Sequence, residues 1–433
     1  MASPPGTASA DGPADQTRRA IRDTPARNVI LLIGDGMGDS EITLARDYTV
    51  GADGRLTMDG LPLTGAYTTH SVTADGSPTY VTDSAAAASG WATGRKTVNG
   101  RVSRTPDTNQ PLPTILELAK RAGYGTGSVT TDELTGATPA ALVTHVTDRS
   151  CKGPADMALC PADTVAAGGA GSIAEQTAAS GADILLGGGR GRFEQTVPAG
   201  PYTGRTVLDQ ARGAGYRVVT DARGLAAADA RTPVLGLFSD GSAAPEWTGL
   251  LAADGGTEPQ RCVTANPERP ADAPTLAELT TKAVEFLDQR RQGRKRGFFL
   301  QVEGAQIDRQ SHGADPCGQI GETLGFDRAV AVARAYARTH PDTLVVVTGD
   351  HGHAAQILPL DSEPTGRNTT LVTDEGAQLK VSYSTNPSTK VQEHSGTQVR
   401  VAAEGPQAYR VLGTTDQTDL FRTMRLALGL GTP

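Results

Sequence analysis

Short apolar runs, each closed by glycine or a polar residue, recur along the chain: Val29–Ile33, Thr126–Val129, Ile184–Leu186, Val218–Val219, Val234–Phe238, Phe298–Val302 and Leu344–Val347. Runs this short and unbroken fit strands buried on both faces, because a parallel strand covered by helices needs apolar side chains on each side. Amphipathic segments with clear start signals lie between them. Thr114 with Glu117, just after Pro113, and Thr275 with Glu278, just after Pro274, have the spacing of capping boxes. In that motif side chains satisfy the free N–H groups of a first helical turn. The first of these predicted helices carries Ile115, Leu116, Leu118 and Ala119 and stops at Gly123. The second has Leu276, Leu279, Ala283, Phe286 and Leu287 along one stripe. Strand and helix alternate over most of the chain, which predicts an α/β fold: a large, mostly parallel central sheet with helices on both faces.

No internal repeat interrupts this alternation, and the simplest division is one domain over 28–433. The stretch 240–273, rich in Gly, Pro, Ala and Asp, is expected to be a surface excursion from that domain. Residues 1–27 are polar, without the apolar core of a secretory leader. They read as a flexible tail or an arm onto a partner, in a mature chain with an added initiator Met. No apolar run approaches the ~18 residues of a membrane span. The formal net charge of −8 argues against nucleic-acid-specific binding, which calls for clustered Lys and Arg. The four cysteines, Cys151, Cys160, Cys262 and Cys317, contain no Cys-x-x-Cys pair, so a thiolate metal site is not indicated. Their even number suits two disulfides and an oxidising compartment. Cys151 with Cys160 would close a short polar loop, although the residues alone leave other pairings open.

Three predicted strands end alike. Asn28-Val-Ile-Leu-Leu-Ile-Gly-Asp35, Phe298-Phe-Leu-Gln-Val-Glu303 and Thr343-Leu-Val-Val-Val-Thr-Gly-Asp350-His351 each run from apolar residues into an acid. Ligands of open parallel sheets bind beyond the carboxyl ends of the strands, so these acids and His351 should meet at one rim. Carboxylates converging there repel one another unless a cation lies among them. Asp308 and His312, four positions apart just past Glu303, would share one helix face with Cβ atoms about 5–6 Å apart, a chelating arrangement. His394 lies in a polar loop and could complete that set, while His353 is expected beside His351 as a supporting group. His70, His145 and His340 have no evident partners and read as structural. Ser84, in Thr82-Asp83-Ser84-Ala-Ala-Ala-Ala-Ser-Gly-Trp91, opens a helix of small residues. Its hydroxyl would therefore stand beside free N–H groups and the positive end of the helix dipole, where phosphate and an alkoxide are both favoured. Taken alone, Asp83 or Ser84 is an ordinary N-cap. Arg149, just before the Cys151 loop, could grip two phosphate oxygens with its planar guanidinium, although a lone Arg is more often a surface charge.

Together these segments closely resemble bacterial alkaline phosphatases, from about Asn28 to the last helix near Leu430. The resemblance includes Gly34-Asp35-Gly-Met-Gly38, Thr82-Asp-Ser-Ala-Ala, Ala137-Thr-Pro-Ala-Ala, Leu300-Gln-Val-Glu-Gly-Ala, Cys317-Gly-Gln-Ile-Gly-Glu-Thr and Thr414-Thr-Asp-Gln-Thr-Asp-Leu. It implies a phosphomonoester hydrolase that acts at alkaline pH through a phosphoserine at Ser84, with Arg149 as phosphate clamp. It also implies one zinc on Asp308, His312 and His394 and a second on Asp35, Asp350 and His351. A third ion, usually magnesium, would be shared by Asp35, Thr138 and Glu303. The implied disulfides are Cys151–Cys160 and Cys262–Cys317, and the implied setting is a periplasmic or secreted homodimer. Substrates would be small phosphomonoesters, with inorganic phosphate as product.

Three positions depart from the common bacterial pattern. Gly136 stands where an acid near the third ion is usual, Arg309 replaces a lysine, and Ser311 replaces an acid. The expected consequences are weaker magnesium binding and altered phosphate release. A phosphodiesterase or sulfatase of the same broad superfamily is the competing enzyme reading, but no x-Pro-x-Arg sulfatase signature follows Ser84. A non-catalytic phosphate- or metal-binding protein would have no need of an ionisable serine.

Overall fold

The computed structural model describes residues 13–291 and 296–431. Its centre is a sheet of ten strands. In chain order they are β1 (Asn28–Gly34), β2 (Leu63–Thr68), β3 (Gly125–Glu133), β4 (Ile184–Gly188), β5 (Arg217–Val219), β6 (Val234–Leu237), β7 (Phe298–Gly304), β8 (Thr343–Gly349), β9 (Val399–Glu404) and β10 (Gly413–Asp416). Across the sheet the order is β10-β2-β9-β8-β1-β7-β3-β4-β6-β5. The middle four, β8, β1, β7 and β3, are mutually parallel and wholly buried. Only β9 runs against its neighbours. The seven runs expected to be strands all lie in this sheet. β2, β9 and β10 at one side were not anticipated; Leu63–Thr68 and Gly413–Asp416 have too few apolar residues to stand out.

Apolar layers line both faces. One contains Val29, Leu31, Ile33 and Phe299 with Ala85, Ala88, Trp91 and Ala140. The other sets Ile30, Leu32, Leu300 and Val302 against Leu279, Ala283, Phe286, Phe326 and Val330. Both capping boxes form: Thr114 N–H donates to Glu117 Oε2 at 3.0 Å, and Thr275 N–H to Glu278 Oε2 at 2.8 Å.

The helices include α1 (Pro13–Ala20), α2 (Asp39–Thr49), α3 (Ser84–Thr93), α4 (Ile115–Arg121), α5 (Ala137–Val143), α6 (Leu276–Arg291), α7 (Gln306–Gly313) and α8 (Pro316–Thr339). The expected free tail is only part of the picture. Residues 13–20 form α1, and the chain is then fastened to the body: Ala26 N–H donates to Ala427 O at 2.8 Å and Arg27 N–H to Asp342 O at 2.7 Å. The first twelve residues of the predicted tail lie outside the described residues.

A second, four-stranded antiparallel sheet combines Ala355–Leu358, Gln378–Tyr383, Arg367–Val372 and Ala253–Asp254. Part of the 240–273 excursion thus pairs with this sheet, and Gln260 N–H donates to Thr370 O at 3.0 Å. Both disulfides are formed, Cys151–Cys160 and Cys262–Cys317, the second tying the excursion to α8.

Candidate active site

The strand ends meet as the parallel topology requires. Asp35 follows β1, Glu303 lies in β7 and Asp350 follows β8, on adjacent strands in the order β8-β1-β7. Gly36 closes the turn after Asp35 with φ +66, and a Cβ there would come within 2.9 Å of the Asp308 Cα. The turn therefore needs a left-handed residue with no side chain. Gly36 N–H and His351 N–H both donate to Asp350 Oδ1, at 2.8 and 2.9 Å.

Two groups of side chains gather at this rim. Asp35, Asp350 and His351 form one; Asp308, His312, His353 and His394 form the other, and in each the ligand-type atoms lie within 4.8 Å of one another. His351 Nε2 stands 3.3 Å from Asp350 Oδ2 and 3.5 Å from Asp35 Oδ1. In the second group His312 Nδ1 faces Gln392 O, and His394 Nδ1 faces Thr82 O at 2.9 Å. A carbonyl only accepts, so both rings carry a proton on Nδ1. Their Nε2 atoms then face each other at 3.2 Å and reach Asp308 Oδ2 and Oδ1 at 3.4 and 3.3 Å. Two lone pairs and a carboxylate facing one another require something positive between them.

The buried polar atoms left without hydrogen-bond partners point the same way. They include Asp308 Oδ1, Asp350 Oδ2 and Thr138 Oγ1. Such groups are costly to bury unless a ligand completes them, so the donor set fits metal ions.

Charge in the pocket follows the same logic. Burial, aided by Asp350, Asp308 and Glu303, holds the Asp35 carboxyl well above the usual range. Burial also pushes Asp350 up to about 7 and, together with Asp132, Glu303 up to about 8. Burial opposes the charged form of Asp308 too, but the His353 and His394 rings beside it hold it well below the usual range. His394 overcomes a burial penalty through Asp308 and is raised to about 9. Without a metal ion, a proton supplies the missing positive charge.

His353 differs from expectation. It stands with the Asp308 group, its Nε2 3.2 Å from Asp308 Oδ1. The chain turns at Gly352, where it bridges to Ser395, and this sends His351 and His353 to different groups. His353 Nδ1 accepts from Ala354 N–H at 2.8 Å, so its proton is on Nε2, facing the carboxylate. That arrangement steadies Asp308 rather than offering a lone pair.

Ser84 is the first residue of α3, whose ten residues are all buried. The alanines let the helix approach the sheet, and Trp91 Nε1–H fastens it to Gln301 Oε1 at 2.9 Å. Ser84 Oγ lies 3.3 Å from Asp35 Oδ1 and 3.4 Å from His351 Nε2. The N-cap is Asp83, whose Oδ1 accepts from Ala86 N–H at 2.9 Å. Its Oδ2 accepts from Gly100 N–H and from Arg149 Nη1, both at 3.0 Å. Asp83 therefore shapes the helix end and aims Arg149 at once, a role the sequence reading assigned only to helix capping.

Thr138 lies in the first turn of α5, and Glu303 accepts a hydrogen bond from Thr130 Oγ1. Arg309 reaches Asp132 Oδ1 at 2.6 Å, while Ser311 is buried and donates to Ile307 O at 2.9 Å, turned into its own helix. His145 bonds to Ser103 O and Glu117, and His340 stacks on Tyr336, both as scaffold contacts. Sequence reasoning missed Asp132 and Gln417, which donates to Asp350 O at 2.8 Å. Neither has a spacing that could have flagged it.

A serine hydroxyl at a helix N-terminus, beside lone pairs that only positive charge reconciles, suits the handling of a phosphate group. The alkaline phosphatase family model matches residues 26–393 and 362–430; the chain belongs to that family and is a phosphatase, a hydrolase of phosphomonoesters. It is 62% identical to the streptomycin-6-phosphate phosphatase of Streptomyces griseus, covering 94% of this chain and 91% of that one. It is 49% identical to the alkaline phosphatase of Escherichia coli, covering 96% and 89% respectively. The cold-active alkaline phosphatase of the psychrophile Shewanella sp. shares the fold at 26% identity and a TM-score of 0.70, over 92% of this chain and 99% of that one.

Proposed function

We propose that the chain is a metal-dependent phosphomonoesterase that works through a phosphoserine at Ser84. The observation that carries this reading is the position of Ser84 Oγ, at the start of α3 and within 3.4 Å of both Asp35 and His351. Asp308, His312 and His394 would hold one zinc, Asp35, Asp350 and His351 a second, and Asp35, Thr138 and Glu303 a magnesium. Bound there, such cations lower the pKa of hydroxyl and water oxygens and offset the charge of a phosphate dianion.

The chain's own groups do the rest. Ser84 Oγ gives up its proton and bonds to phosphorus in line with the ester oxygen; the ester P–O bond breaks and the alcohol leaves protonated. The first N–H groups of α3 and the Arg149 guanidinium hold the non-bridging oxygens throughout. Water then bonds to phosphorus from the vacated side, the Ser84–phosphorus bond breaks, Ser84 regains a proton and inorganic phosphate departs.

Among the described residues no helix is long and apolar enough to cross a membrane. The two disulfides support an oxidising setting, periplasmic or secreted, and the family pattern supports a homodimer. The test compares hydrolysis of aryl monoester, diester and sulfate substrates, and of streptomycin 6-phosphate, before and after chelation, with Ser84→Ala as control. Monoester turnover should fall with either treatment and return with zinc only in the wild type. Turnover that survives both chelation and Ser84→Ala overturns the mechanism.

A further inference from the structure

Gly136 is the N-cap of α5, with φ −63 and ψ 161. That conformation is open to any residue, and Asp or Ser would cap better, so the backbone does not call for glycine. Space does: a Cβ at 136 would lie 2.2 Å from Asp132 Oδ2 and 2.9 Å from Asp132 Cγ. A carboxylate from the end of β3 already occupies the volume that a side chain at 136 would fill.

Asp132 is buried, at 6% exposure, and held from two directions. Its Oδ1 accepts from Arg309 Nη2 on α7 and from Ser242 Oγ in the 240–273 excursion, both at 2.6 Å. The excursion is itself pinned over β3, with Ala243 N–H donating to Thr131 O at 2.9 Å. Asp132 N–H donates to Thr130 Oγ1 at 2.8 Å, and Thr130 in turn donates to Glu303. Across from them Thr138, 1% exposed, keeps its Oγ1 without a partner. The Asp132 backbone N–H and the Glu303 carboxylate thus meet on one hydroxyl, near an oxygen left unsatisfied on Thr138, and Arg309 pairs with the Asp132 carboxylate.

We propose that Asp132 is the positioning residue of the Glu303–Thr138 cation pocket, setting its affinity for magnesium and holding Arg309 at its rim. The absent side chain at Gly136 therefore does not leave the pocket short of an acid; the acid comes from position 132. Magnesium keeps several of its waters when bound to protein, and a buried carboxylate beside Glu303 favours such a hydrated cation without touching it. Because positions 132 and 136 compete for one volume, only one of them can carry the carboxylate.

This role rests on the third-cation reading above, and the experiment separates the two. Zinc-loaded wild type, Asp132→Asn, Asp132→Ala, Gly136→Asp and the double variant Asp132→Ala/Gly136→Asp are titrated with magnesium by calorimetry. Metal content is measured by atomic emission, and circular dichroism checks folding. Loss of a supporting carboxylate should weaken magnesium binding about tenfold or more in Asp132→Asn and Asp132→Ala. The double variant should recover most of that loss, whereas Gly136→Asp alone should gain nothing, its new side chain meeting Asp132. Asn keeps the volume and an acceptor oxygen, so it tests charge in a chain that folds. Magnesium bound as tightly by Asp132→Asn as by wild type, or a double variant no tighter than Asp132→Ala, overturns the role of Asp132 alone. A wild type that takes up no third cation overturns both readings.

Discussion

Arg149→Ala removes a guanidinium whose geometry is already half committed. Its Nη1 lies 3.0 Å from Asp83 Oδ2, and its backbone N–H is fixed on Gly100 O at 2.7 Å. That leaves Nη2 and Nε to meet two phosphate oxygens as a fork. Hydrogen bonds to charged groups contribute about 1.5–3 kcal/mol each. The Arg149 side chain is 36% exposed, so the lower end applies, giving about 3 kcal/mol for the pair or roughly a hundredfold. Asp83 keeps Ala86 N–H and Gly100 N–H when the arginine is gone, so the fold should lose less than about 1 kcal/mol. The assay is steady-state hydrolysis of an aryl phosphomonoester together with inhibition by inorganic phosphate. Both kcat/KM and phosphate affinity should fall about a hundredfold in Arg149→Ala, while Arg149→Lys, a point charge without the fork, recovers about half of the free energy. A larger loss in kcat/KM than in phosphate affinity would mean that the guanidinium grips the transferring phosphoryl group more than the bound product. An Arg149→Ala enzyme with unchanged kcat/KM and unchanged phosphate inhibition refutes the assignment.

Three further outcomes follow from the geometry. Asp83→Ala loses the α3 cap and the Gly100 contact, for a destabilisation of about 2 kcal/mol, whereas Asp83→Asn keeps an acceptor and should lose under half of that; urea midpoints that rank Asn no better than Ala contradict this. In the metal-free chain Asp350 and Glu303 are raised to about 7 and about 8, and His394 to about 9. All three hold protons at pH 6 that ligation must displace, so metal affinity should climb from pH 6 to pH 9 with proton release on loading. Calorimetry in buffers of different ionisation enthalpy reads this, and a flat affinity would refute it. The Cys262–Cys317 bridge closes a loop with a sequence separation of 55 against 9 for Cys151–Cys160. Chain entropy gives about 4 against about 3 kcal/mol, so replacing both cysteines of the longer bridge by serine should lower the urea midpoint more, and the reverse order would refute the entropic account.

Much of the central sheet was legible because parallel strands advertise themselves. Each of β1, β7 and β8 is apolar along its length and then breaks into an acid, and that break is where a doubly wound sheet places its ligands. The edge strands were not legible for the opposite reason. β2 buries only Leu63 and Tyr67, with Gly65 and Ala66 in its middle, and β10 is Gly-Thr-Thr-Asp. β2 is placed by pairing with β9, a strand more than 300 residues away in sequence, and β10 by pairing with β2, and no local pattern encodes that.

The site divides along the same line. Residues anchored to strand ends and to the Asp308–His312 spacing were readable as types with a purpose. The groups that orient them were not, because they are backbone carbonyls and distant side chains. Thr82 O and Gln392 O decide which nitrogen of His394 and His312 carries the proton, and this is what turns two ordinary histidines into a pair of facing lone pairs. Asp132 shows the limit most sharply. Set against the pattern of the family it resembles, Gly136 reads as a missing acid and predicts weakened metal binding. In the structure the space above Gly136 is filled by the Asp132 carboxylate, so a position in the chain and a position in the pocket are different things. A loss at one residue can be offset by a neighbour four positions away, provided the turn between strand and helix brings both side chains to the same volume.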